Sequence, residues 1–145
     1  EDLKTPEKHK AAYERLCPRL RGQIALKIEA TDDPLRKLLK ARLHQGTLEY
    51  RVLWIVPDNR LGPRPAESVT RDCLLDMQAA AVELWAGQPK ELVPWLEELL
   101  VAAKECERLM RIYVFAGRNF APELSATRRL RLKIETELWK AKNPK

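Results

Sequence analysis

A chain of 145 residues is long enough for one continuous apolar core and too short for two independent domains of ordinary size. Hydrophobic residues at 45% and charged residues at 33%, with Leu, Ala, Glu, Lys and Arg prominent, exclude wholesale disorder, and no apolar run reaches the roughly 20 residues that cross a bilayer. The net charge of +6 is uneven: residues 121–145 carry seven Lys and Arg against three acids, while residues 61–120 carry seven against nine, so the C-terminal end is the basic one.

The opening Glu1-Asp2-Leu3 has neither an initiator Met nor a basic-then-apolar leader, as expected of a mature product or a fragment, and leaves localisation unknown. Thr5-Pro6-Glu7 has the form of an N-cap, a first-turn proline and an early acid, starting a short helix that Pro18 interrupts. Leu20, Ile24 and Ile28 at helical spacing predict a further helix over 19–30. Asp33-Pro34 repeats the cap-and-proline start, and Leu39, Leu43, Gly46, Tyr50 and Leu53 keep steps of four and three until Pro57-Asp58-Asn59.

After a loop over 59–65 the rhythm resumes with Thr70, Cys73, Met77, Ala80 and Leu84, and stops at Ala86-Gly87-Gln88-Pro89. The strongest pattern follows: Leu92, Leu96, Leu99, Ala103, Cys106, Met110 and Tyr113 form the seam of a helix built to pack on other helices, ending at Ala116-Gly117-Arg118-Asn119. A last helix over 122–142 carries Leu124, Thr127, Ile134 and Leu138 on one face, with Arg131 where an apolar residue is expected.

These elements predict an all-α protein: an antiparallel up-down-up-down four-helix bundle of two helical hairpins, behind an N-terminal helical leader. It forms a single domain, with the leader at 1–31, hairpin one at 33–86 and hairpin two at 90–142. Folding about the loop centres sets Tyr50, Cys73, Cys106 and the turn 130–134 at one height, and Leu43, Ala80, Leu99 and Leu138 at another. Residues 68–86 also align with 122–140, matching Glu83-Leu84-Trp85 to Glu137-Leu138-Trp139, which suggests two copies of one unit.

The stretch 111–142, RIYVFAGRNFAPELSATRRLRLKIETELWKAK, resembles the helix, Ala-Gly loop, helix segment of the outer-membrane efflux (TolC-like) family. It is similar, too, to uncharacterised bacterial proteins with repeated helical hairpins that open on DDPLRKLLKAR, here residues 32–42, and the likeness spans about residues 32–142. The first loop, with Pro57, Pro63 and Pro65, departs from the Ala-Gly-Arg kind, and no barrel strands are present. The resemblance implies a shared hairpin architecture and no activity.

No catalytic constellation emerges from the sequence. A di-iron carboxylate bundle needs Glu-x-x-His pairs, whereas Pro6 and Ala41 stand three before His9 and His44. Cys17, Cys73 and Cys106 are odd in number and widely spaced; Cys73 and Cys106 share a height where either a disulfide or two small buried thiols fit, and Cys17 beside Pro18 is expected at the surface. The pairs Asp72/Asp76, Glu97/Glu98 and Glu105/Glu107 lie off the seam and are expected on solvated faces. Ser68 and Ser125 have no His nearby, and the five glycines make no phosphate cradle.

Two surfaces remain. Trp85, Trp95 and Trp139 are expected to gather at one end of the bundle as a partner interface, with Trp54 near another helix end. In the basic C-terminal helix Arg131 and Lys133 can pair with Glu135 and Glu137 at four-residue spacing, leaving Arg128 and Arg129 as anion or nucleic-acid contacts. The expectation is a non-catalytic protein-interaction or assembly module without cofactor, metal or small-molecule substrate, binding a protein partner or itself. The alternatives are a basic accessory protein binding nucleic acid through its C-terminal helix, and an extracytoplasmic coiled-coil element.

Overall fold

The computed structural model describes the backbone of residues 16–24, 26–55, 66–115 and 121–144 and, within these, the side chains other than those at 52–55, 66–68, 113–115 and 121. The expected start at Thr5-Pro6-Glu7, the stops at Pro57-Asp58-Asn59 and Ala116-Gly117-Arg118-Asn119, the loop 59–65, and the side chains of Leu53, Trp54, Ser68 and Tyr113 lie outside the described residues. Among the described residues the chain is all-helical: α1 (Pro34–Ile55), α2 (Ala66–Leu84), α3 (Pro89–Phe115) and α4 (Ala121–Lys142).

Local chemistry sets the boundaries. Asp33 caps α1 through the Arg36 N–H, which donates to Asp33 Oδ1 at 2.7 Å, and Pro34 occupies the first turn, where its missing N–H costs nothing. Gly87 stands in the left-handed region at φ 76°, a conformation L side chains resist, and the Gln88 N–H closes the end of α2 by donating to Trp85 O at 2.9 Å. Pro89 then starts α3. The short link between α2 and α3 is sealed by the Trp85 and Trp95 rings, stacked with centroids 5.6 Å apart.

The helices pack as neighbours in a bundle. α1 lies on α2, α2 also touches α3 and α4, and α3 has its most extensive interface with α4; among the described residues the backbones of α1 and α4 do not approach each other. Between α1 and α2, Arg36 donates to the Leu84 carbonyl, Arg42 to Asp76, and the Cys73 thiol to the Gly46 carbonyl. Glu107 with Arg131 and Glu97 with Lys142 join α3 to α4.

The seam expected on α3 is buried from Leu92 to Met110, and so are Tyr50, Cys73 and Cys106 of one predicted layer and Leu43, Ala80, Leu99 and Leu138 of the other. Each fully buried leucine contributes about 1.5–3 kcal/mol relative to exposure. Gly46 of α1 lies tight against α2, where a Cβ would stand 2.3 Å from Met77 Cγ. The repeat does not give its two copies one environment: Leu84 and Leu138 are both buried, yet Trp85 is buried and Trp139 is 66% exposed.

The leader departs from expectation. No helix forms over 19–30 among the described residues. A single turn, with the Arg21 N–H donating to Cys17 O at 3.2 Å, ends at Gly22 with φ 72°. This turn and the segment beyond it form a strap: Lys40 Nζ of α1 donates to Lys27 O at 2.8 Å, and Gly22 approaches the Arg51 side chain. The physical reason is that Ile24 and Ile28 have nothing to bury against and remain exposed, while Cys17 and Leu20 are drawn into the core.

Candidate functional site

Three carboxylates on α3 correct the expectation that its acids are solvated. Glu98, Glu105 and Glu107 are buried, Glu98 to 5% exposure. Glu98 binds the strap: Oε1 accepts the Arg19 N–H at 2.8 Å and the Leu20 N–H at 3.2 Å, and Oε2 accepts Arg19 Nη1 at 2.9 Å. Glu105 pairs with Arg108 at 2.7 Å, and Glu107 receives Arg131 Nε from α4 at 2.7 Å. The acids lie off the α3 seam, and they are covered because α3 is enclosed by α2, α4 and the strap rather than along one stripe. Arg131, which breaks the apolar pattern of α4, was the sequence signal for one of these pairs.

The other acids of the expected pairs, Asp72, Asp76 and Glu97, are exposed. Asp76 pairs with Arg42 at 2.6 Å, Asp72 with Arg71 at 3.7 Å, and Glu97 with Lys142 at 3.9 Å. Arg71 also joins α2 to α4 through Glu123. Asp32 is enclosed by Lys40 Nζ at 2.6 Å, the Glu29 N–H at 2.8 Å and Arg36 Nε at 3.3 Å, and these contacts, the Lys40 hydrogen bond first, hold its carboxyl down at about 2. These groups are arranged as braces between elements.

The thiols are all free and buried, Cys17 included, against the expectation that it is exposed. Its Sγ donates to the Glu98 carbonyl at 3.8 Å, and burial, then the charge of Glu98, pushes the thiol up to about 12. Burial likewise pushes Cys73 up to about 12, with Glu49 adding to it. A thiol held protonated in this way is a poor nucleophile. Cys73 and Cys106 are two free thiols and not a disulfide. His44 is exposed on α1, and His9 lies outside the described residues. Among the described residues no three His, Cys, Asp or Glu side chains come together to hold a metal ion.

The predicted tryptophan group divides. Trp85 and Trp95 stack and are buried, whereas Trp139 stands on the outward face of α4. That face also presents Arg128, Arg129, Leu132, Lys133 and Lys140, all exposed. Arg131 pairs with Glu135 at 3.2 Å as expected, but Glu137 meets Lys140 at 3.6 Å rather than Lys133. Among the described residues Arg128 and Arg129 have no carboxylate partner.

A further surface was missed by sequence reasoning. Leu38, Ala41, Gln45 and Leu48 of α1 follow steps of three, four and three on the side of the helix opposite its buried seam, and all four are exposed. The signal was present in the spacing, masked by the stronger stripe of Leu39, Leu43, Gly46 and Tyr50 in the same stretch of sequence. Comparison of the chain with protein families, with curated proteins and with solved structures finds no match.

Proposed function

We propose that the protein is a non-catalytic helical assembly module, an antiparallel up-down-up-down bundle that binds another protein through helix faces its own fold leaves uncovered. The observation that carries this reading is the division of labour among side chains. Buried ionisable groups brace elements together, while Leu38 at 64% exposure and Leu48 at 40% stand outward on α1, at spacing suited to another helix. Analytical ultracentrifugation of the chain, with affinity capture of partners, tests it. Self-association or a specific protein complex is expected; a strict monomer that captures nothing overturns it.

A second reading is favoured by one specific surface. The outward face of α4 carries Arg128, Arg129 and Lys133, with Lys140 beside Glu137, and Trp139 supplies an exposed ring on which a base can stack. On this reading the helix binds single-stranded nucleic acid. Oligonucleotide titration is expected to quench Trp139 fluorescence, with affinity falling as salt rises and falling again in Arg128→Ala/Arg129→Ala. Affinity indifferent to both salt and the double substitution removes this reading.

A further inference from the structure

We infer that the outward face of α1 is a dimer seam whose occupant is a second copy of the same chain, the two α1 helices lying antiparallel. This inference rests on the assembly reading above and names its partner.

The helix already has one full apolar stripe, buried against α2 and the core through Leu39, Leu43 and Tyr50. One stripe is all a helix on the outside of a bundle needs. Leu38, Ala41, Gln45 and Leu48 make a second on the solvent side, with the alternating spacing that knobs-into-holes packing demands. The step continues in the sequence to Val52 and Ile55, the last residue of the helix. With 22 residues α1 is about 33 Å long, a length of paired helix on the scale of a specific interface of about 1,000 Å². Ala41 permits close approach, and Gln45 is the single polar seam residue, the kind that fixes register at some cost in affinity.

Charge selects the occupant and its direction. Arg42 and Glu49 flank the seam in equivalent positions seven residues apart, both exposed. In an antiparallel pair, Arg42 of one copy faces Glu49 of the other, and symmetry makes the contact twice. Arg42 meets Asp76 within its own chain at 2.6 Å, and its five N–H donors leave room for a second carboxylate. Gln45 Nε2 donates to Glu49 at 3.3 Å, which steadies that carboxylate beside the seam. A parallel pair instead sets Lys37 against Arg42 and loses both attractions.

Sedimentation equilibrium of the whole chain over a wide concentration range is the test, with circular dichroism and thermal melting as fold controls. The wild type is expected to dimerise. Leu38→Lys/Leu48→Lys is expected to raise the dissociation constant more than about tenfold with the helical spectrum unchanged, because both side chains are already outside the core. Glu49→Arg is expected to weaken the dimer, and Arg42→Glu/Glu49→Arg to restore it. A dimer that survives Leu38→Lys/Leu48→Lys overturns the inference and leaves the assembly reading standing. A monomer at every concentration that nonetheless captures a different protein does the same, whereas a monomer that captures nothing overturns both.

Discussion

Gln78 sits on α2 at 2% exposure, and its side-chain carbonyl oxygen has no hydrogen-bond partner among the described residues. A buried acceptor left unpaired loses its water and gains nothing in return. Gln78→Met, which keeps the volume and removes the acceptor, is expected to raise unfolding stability by about 1 kcal/mol in urea denaturation. Gly46 is the opposite case, a residue whose missing side chain is used. Gly46→Ala drives a methyl group into Met77 Cγ and Sδ and is expected to cost about 1–3 kcal/mol, part of it recovered when Met77 is shortened to Ala. Asp32 adds a pH dependence. Its folded carboxyl titrates near 2, below the ordinary 3.8, so its contribution is fully present above about pH 4 and disappears as pH falls toward 2. Stability measured across that range should lose this component in Asp32→Asn, which also frees Lys40 from its carboxylate.

At the level of elements, α3 carries both the clearest apolar seam and the three carboxylates that bind its surroundings to it. Glu98→Ala leaves the Arg19 and Leu20 N–H groups without their acceptor and is expected to cost about 3 kcal/mol by denaturation, with faster proteolysis of the strap. Glu97→Ala, one position away on the exposed side, should change stability by less than about 0.5 kcal/mol. Helix existence and boundaries were legible because the signals for them are local: Asp33-Pro34, Gly87-Gln88-Pro89, and apolar residues at steps of three and four. The strap was not legible, since the periodicity of Leu20, Ile24 and Ile28 promises a buried face only if something lies opposite it. The buried acids and the outward Trp139 escaped for a related reason. A single stripe tells which side of a helix is buried first, and not how many neighbours surround the rest. The exposure of Arg128 and Arg129 could be read from the sequence because neither has an acid at helical spacing.

At the scale of the whole molecule, α2 is the helix that touches each of the other three, while α1 is held by α2 and the strap. Loss of the strap therefore loosens α1 ahead of the α2, α3 and α4 core, and hydrogen exchange should show its amides opening before theirs. The protected sulfurs turn this into something countable. One belongs to the leader and rests on the Glu98 carbonyl of α3, one lies on α2 against the Gly46 carbonyl of α1, and one is on the α3 seam. Reaction with a thiol-specific reagent at neutral pH is expected to wait for each interface to part, with Cys17 tagged first. Mass spectrometry of the tagged peptides would then register the sequence in which the protein comes undone, from three natural timers that require no engineered probe.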